Sequence, residues 1–70
     1  MKIIEFTHKI VKITYEELQN WKKTKYDNSF IKSILAKYLN VKPNDIEDFD
    51  QINFGLTFEV CLKEEYEVEE

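Results

Sequence analysis

The sequence predicts an α+β fold, a small two-layer domain in β-α-α-β(-β) order. An antiparallel sheet is covered on one face by two short helices. Three observations carry this expectation. Residues 2–13 and 52–63 are β-branched and aromatic with two-residue alternation. Residues 14–39 hold two stretches whose apolar residues recur at helical spacing. A chain of 70 residues makes one domain at most.

In "KIIEFTHKIVKI" (2–13), Ile4, Phe6 and Ile10 share one face, with His8 between them, while Val11 and Ile13 fall on the other. The switch of parity predicts a β-bulge near His8–Lys9 or a strand covered on both faces. "TYEELQNWKK" opens with a capping box: Thr14 can accept from the Glu17 amide while Glu17 reaches back. Tyr15, Leu18 and Trp21 then form a narrow stripe, so a helix is expected over 15–24. In "DNSFIKSILAKYLNV", Ile31, Ile34, Leu35 and Tyr38 follow the i, i+3, i+4, i+7 pattern. Asp27 or Asn28 can cap this second helix, expected over 29–39. Asn40 suits a left-handed C′ position, with Pro43 beyond it.

Alternation over 52–63 puts Ile52, Phe54, Leu56, Phe58, Val60 and Leu62 on one face of a half-buried strand. Gly55 marks either a bulge or a turn; in the second case "IEDF" (46–49) is a short strand before it. The domain is expected to end at residue 63, with 64–70 as an acidic C-terminal tail, frayed or at a sheet edge.

Composition narrows the chemistry. Hydrophobic residues make up 43% of the chain, enough to argue against disorder. Cys61 is the single cysteine, so no internal disulfide can form, and an intracellular, cytoplasmic location is expected. "MKIIEF" lacks the apolar run of a leader, and no segment is long enough to span a membrane. All ten basic residues are Lys, alongside abundant Ile, Asn, Tyr and Phe. That bias reads as A/T-rich codons, pointing to a low-GC bacterium or one of its phages or mobile elements.

Several chemistries fall away. One His and one Cys, His8 and Cys61, cannot build a zinc site in one chain. "DIEDFDQIN" fails the EF-hand pattern, because Ile52 and Asn53 stand where an acid and the turn Gly belong. A single Gly excludes phosphate-binding loops. No metal and no cofactor are expected. A nucleophile needs a base within reach. Ser29 and Ser33 belong to a helix, and Cys61 is read as a small residue on a sheet. With little room for a deep pocket beside a core, no enzymatic activity is expected.

Charge is laid out unevenly. Residues 1–42 hold nine Lys and four acids, net +5, whereas 43–70 hold one Lys and ten acids, net −9. The expected function is a small non-catalytic binding protein that covers a basic surface of a larger partner. Accessory proteins, inhibitors, immunity proteins and antitoxins of phages and mobile elements fit this profile. A nucleic-acid enzyme is one such partner, since carboxylates can occupy its phosphate sites. The candidate contact residues are Asp45, Glu47, Asp48, Phe49 and Asp50, joined by Glu64, Glu65 and Tyr66 if residues 46–50 pair with the last strand. The plain alternative is a solvated acidic surface.

A second reading uses "WKKTKY". Lys22, Lys23 and Lys25, interleaved with Trp21 and Tyr26, would grip phosphate and stack a base. The pI near 5.0 and the apolar start of the second helix weigh against direct nucleic-acid binding. A third reading is homo-oligomeric self-assembly, the basic half of one copy meeting the acidic half of another, or an exposed edge strand pairing.

Overall fold

A computed structural model describes residues 1–69. The elements run β1 (Lys2–Lys12), α1 (Tyr15–Lys23), α2 (Asn28–Leu39), a single 3₁₀ turn (Pro43–Asp45), β2 (Ile46–Gln51) and β3 (Thr57–Glu67). The three strands form an antiparallel sheet in the order β1-β3-β2, so the first and last strands are neighbours. The expected α+β architecture is what the chain adopts.

Each helix starts and stops for a local reason. Thr14 and Glu17 make the reciprocal capping box at the head of α1, with bonds of 3.1 and 2.8 Å. Asp27 caps α2 by accepting from the Ser29 N–H at 2.8 Å. Asn40 closes α2 in the left-handed conformation, φ 56°. Between the helices, Lys25 and Tyr26 are both left-handed (φ 59° and 62°). Thr24 tightens that corner: its hydroxyl donates to the Trp21 carbonyl at 2.6 Å and accepts from the Asp27 N–H at 3.1 Å.

The core lies between the helices and one end of the sheet. Leu18 and Trp21 of α1 and Ile31, Leu35 and Ala36 of α2 meet Val11, Ile13, Ile46, Phe58, Val60 and Leu62. Burying each large side chain here contributes roughly 1.5–3 kcal/mol. Trp21 packs edge-on to Phe58 at 5.5 Å and satisfies its Nε1–H on the Asp27 carbonyl at 3.0 Å. Tyr15 and Tyr38, expected in the apolar stripes, instead stand exposed. The Tyr38 hydroxyl donates to Glu17, which ties α2 to α1.

The structure decides three points about the strands. First, β1 has no bulge: its register with β3 runs unbroken from Lys2↔Glu67 to Lys12↔Thr57. The parity switch has another cause. Val11 and Ile13 face the helices at one end, while Ile4, Phe6 and Ile10 lie on the sheet face that no helix covers. The bulge occurs instead in β2, where Ile46 and Asp48 pair with the consecutive residues Leu62 and Cys61 and leave Glu47 extra.

Second, of the two readings of residues 52–63 the hairpin holds, with Ile46–Gln51 as the strand before the turn. The chain turns at Ile52–Gly55, closed by the Gly55 N–H on the Ile52 carbonyl at 3.0 Å. The left-handed residues are Asn53 and Phe54 (φ 53° and 56°), the pattern of a type I′ turn, and Gly55 is not among them. Phe54 is therefore thrown outward rather than into the core. Third, β3 continues through Glu64–Glu67, past the expected domain end at residue 63, because Lys2–Glu5 offers partners there. Val68 still exchanges backbone bonds with Met1. β2 meets β3 only up to Leu62, so residues 63–67 and their β1 partners form a two-stranded arm. That arm makes the molecule long, 49 × 19 × 17 Å.

Candidate functional site

β2 and β3 gather carboxylates on the uncovered face of the sheet. Alternation puts Phe58, Val60 and Leu62 into the core, and so turns Glu59, Cys61 and Lys63 outward. Asp50 pairs with Glu59, Asp48 with Cys61, and on the other side His8 pairs with Cys61. Asp48, Asp50, Glu59, Cys61 and His8, with Phe49 beneath, line a shallow hollow of about 90 Å³. His8 Nδ1 lies 3.6 Å from Glu59 Oε1. The half-buried Cys61 floors the hollow.

The bulge at Glu47 matters for this arrangement. It shifts the alternation by one residue, so that Asp48 and Asp50 take the open face although Ile46, of the same parity, faces the core. Asp48 also accepts the Phe49 N–H at 2.9 Å, which holds its carboxylate close to the strand. Glu47, the extra residue, is exposed.

The second acidic group lies elsewhere. Asp45 lines a separate hollow of about 300 Å³ with Val41, Leu62, Lys63, Glu64, Glu65 and Tyr66. Its own carboxylate closes the 3₁₀ turn by accepting from the Lys42 N–H at 3.2 Å. Glu65 is already neutralised. Hydrogen bonds from Lys2 and Lys63 hold its carboxyl below the ordinary value, at 3.0 and 3.2 Å. A hydrogen bond to Glu5 raises the Tyr66 hydroxyl above its ordinary value, with burial and the charges of Glu5 and Glu64 adding to the effect.

Pairing of β2 with β3 was the condition set for one joint acidic surface, and that pairing occurs. The result is nevertheless two groups. Asp48 and Asp50 join Glu59, which sequence reasoning left out of the contact set, whereas Asp45 joins Glu64, Glu65 and Tyr66. Phe49 lines the acidic hollow but is half-buried, with its ring 6.4 Å from that of Phe58. Glu59 was legible in principle, as the outward residue between Phe58 and Val60, once its partner in β2 was known.

The lysine corner also changes. Trp21 is 6% exposed and fixed in the core, so it cannot stack a base. Tyr26, edge-on to Trp21 at 4.9 Å, takes the exposed position instead. Tyr26, Lys22, Gln51 and Phe54 line a hollow of about 440 Å³. Phe54 is 92% exposed there. Lys23 and Lys25 are exposed nearby in sequence and line none of it.

Among the described residues no group of three or more His, Cys, Asp or Glu side chains is arranged to hold a metal ion. No helix is long and apolar enough to cross a membrane. Comparison of the chain with protein-family models, with curated proteins and with solved structures finds no match.

Proposed function

We propose that the protein is a small non-catalytic binding protein that receives basic side chains of a larger partner on the open face of its sheet. The observation that carries this reading is the convergence of Asp48, Asp50 and Glu59 around one shallow hollow. Three carboxylates can accept the donors of a Lys or Arg without rearranging, because all three stand on paired strands. The hollow is shallow and small, about 90 Å³, which suits a protein side chain better than an enclosed substrate. A basic partner would be steered to it by the charge of the acidic half. Accessory and inhibitor proteins of phages and mobile elements act in this manner, and a cytoplasmic nucleic-acid enzyme is a fitting target.

The test uses three baits in a nuclease-treated low-GC bacterial lysate, with captured proteins identified by mass spectrometry. These are the native chain, Asp48→Lys/Asp50→Lys, and Asp45→Lys/Glu64→Lys. A basic protein kept by the first and third baits and lost by the second is the expected result. Equal capture by all three sinks the proposal, and loss with the third bait alone moves the working surface to the arm.

A second reading has one specific observation in its favour. Tyr26 and Phe54 are exposed around Lys22 and Gln51, a combination that could stack a base and hold a phosphate. Binding of a single-stranded oligonucleotide, lost at high salt and in Phe54→Ala, would favour it.

A further inference from the structure

β1 is an edge strand over its whole length, since β3 occupies the middle of the sheet. An open edge presents unpaired backbone groups, and proteins usually blunt it by brevity, charged side chains such as Lys, Pro, a bulge or a cover. β1 is 11 residues long, contains no Pro and keeps an unbroken register; its charges, Lys2, Glu5, Lys9 and Lys12, are of both signs and so can be matched across an edge.

The ends of the ladder fix which groups face outward. Met1 and Val68 exchange both backbone bonds, at 3.1 and 2.8 Å, and the Ile13 N–H bonds the Leu56 carbonyl at 2.9 Å. Bonded and non-bonded pairs alternate in an antiparallel ladder. The odd-numbered residues of β1 therefore bond to β3, and the even-numbered ones turn N–H and C=O to the free edge. The side chains of that even set include Ile4, Phe6 and Ile10, exposed by 47%, 56% and 64% on the open face.

We infer that the free edge of β1 pairs antiparallel with β1 of a second copy, about a two-fold axis at Thr7. The two three-stranded sheets become one continuous sheet. Side-chain matching selects this register. Glu5 faces the partner's Lys9, and Lys9 faces the partner's Glu5. Ile4 faces the partner's Ile10, Phe6 the partner's His8, and Ile3 the partner's Val11. Two-fold symmetry makes every match occur twice.

Neighbouring registers keep each side chain on its face but lose these matches. With the axis at Phe6, Ile3 meets the partner's Lys9 and Glu5 meets the partner's Thr7. With the axis at His8, Glu5 meets the partner's Val11 and Ile4 meets the partner's Lys12. The Thr7 register has one like-charged match, Lys2 with the partner's Lys12. It falls at the outer ends, where Lys2 already carries Glu65 at 3.0 Å.

Sedimentation equilibrium of the full chain over a concentration series tests this. The native chain should dimerise. Glu5→Lys and Lys9→Glu should each dimerise roughly tenfold or more weakly, because each sets two like-charged pairs across the axis. An equimolar mixture of the two variants should dimerise as the native chain does, since every pair is again of opposite sign. That recovery also requires both variants to be folded, which circular dichroism checks independently. Asp48→Lys/Asp50→Lys should associate like the native chain, so this inference and the proposed docking fail separately. A native chain that stays monomeric at about 1 mM overturns the inference. So does a dimer insensitive to both reversals, or folded variants whose mixture does not recover.

Discussion

Phe54 shows how a single residue departs from what its neighbours suggest. It sits in the left-handed region at the second central position of a type I′ turn, where Gly or Asn is usual. The backbone conformation costs a side chain there about 1–2 kcal/mol. Its ring, 92% exposed, regains nothing by burial. Phe54→Gly should therefore stabilise the protein by about 0.5–1 kcal/mol after the entropy lost by Gly. Thermal unfolding should show this as a rise of roughly 3–6 °C. Gly55, the residue that looked special, should accept Ala with little change. It has no positive φ, and an added Cβ meets the Ile52 carbonyl at 3.5 Å and the Asn53 carbonyl at 4.0 Å, both ordinary contacts. Composition drew attention to the single Gly, whereas the turn chemistry lies in the two residues before it.

At the scale of elements, α1 and α2 are joined by more than apolar contact. Glu17 accepts from the Thr14 N–H and from the Tyr38 hydroxyl. Partial desolvation pushes the Glu17 carboxyl up. The hydrogen bonds from Tyr38 and Thr14 and the Lys37 charge outweigh it and hold Glu17 below its ordinary 4.5. A carboxyl lowered by folding favours the folded state above its unfolded value. That contribution is lost as the pH falls through the folded value. The melting-temperature gap between the native chain and Glu17→Gln should thus narrow as the pH falls below the ordinary 4.5. Tyr38 has the opposite sign. Its hydroxyl is raised above 10.0, first by the hydrogen bond to Glu17, so its contribution is present below that value and fades as the pH rises through the folded one. The capping box was legible because it is local, spanning Thr14 to Glu17. The bond from Tyr38 was not, because it depends on how two helices cross.

The whole molecule divides into a packed end and a bare arm. The largest fully buried side chains, Phe58, Ile31, Leu35 and Val60, all lie in the packed end. A 70-residue domain has roughly 4–10 kcal/mol of stability in total. Phe58→Ala should cost about 3–5 kcal/mol, a large share of that total, and urea titration should show it as a lower unfolding midpoint. Tyr15→Ala, at a position the helical stripe assigned to the core, should stay within about 0.5 kcal/mol because Tyr15 is exposed. The arm has no helix over it on either face. Its stability rests on the β1–β3 ladder and on exposed ion pairs such as Lys2–Glu65, each a small contribution. A second copy along β1 would give the arm a neighbour and bring two acidic hollows onto one continuous face.

The sequence by itself determined the class of fold, both helices with their caps, and the uneven charge. Those depend on interactions within a few residues, where spacing alone says which groups can meet. It also grouped Asp48 with Asp50, which line one hollow, since acids near one another in sequence stay near one another in space. Tertiary structure decided the rest. The β1-β3-β2 order joins residues more than fifty positions apart. That order put Glu59 beside Asp50 and His8 beside Cys61, and it drew Asp45 away toward the arm. It also settled which parity of β1 is covered. Ile4, Phe6 and Ile10 carry the pattern of a core strand, and they are exposed because both helices pack on the other face of the sheet. Period-two alternation marks two faces of a strand; only the placement of the neighbouring layer says which face is wet.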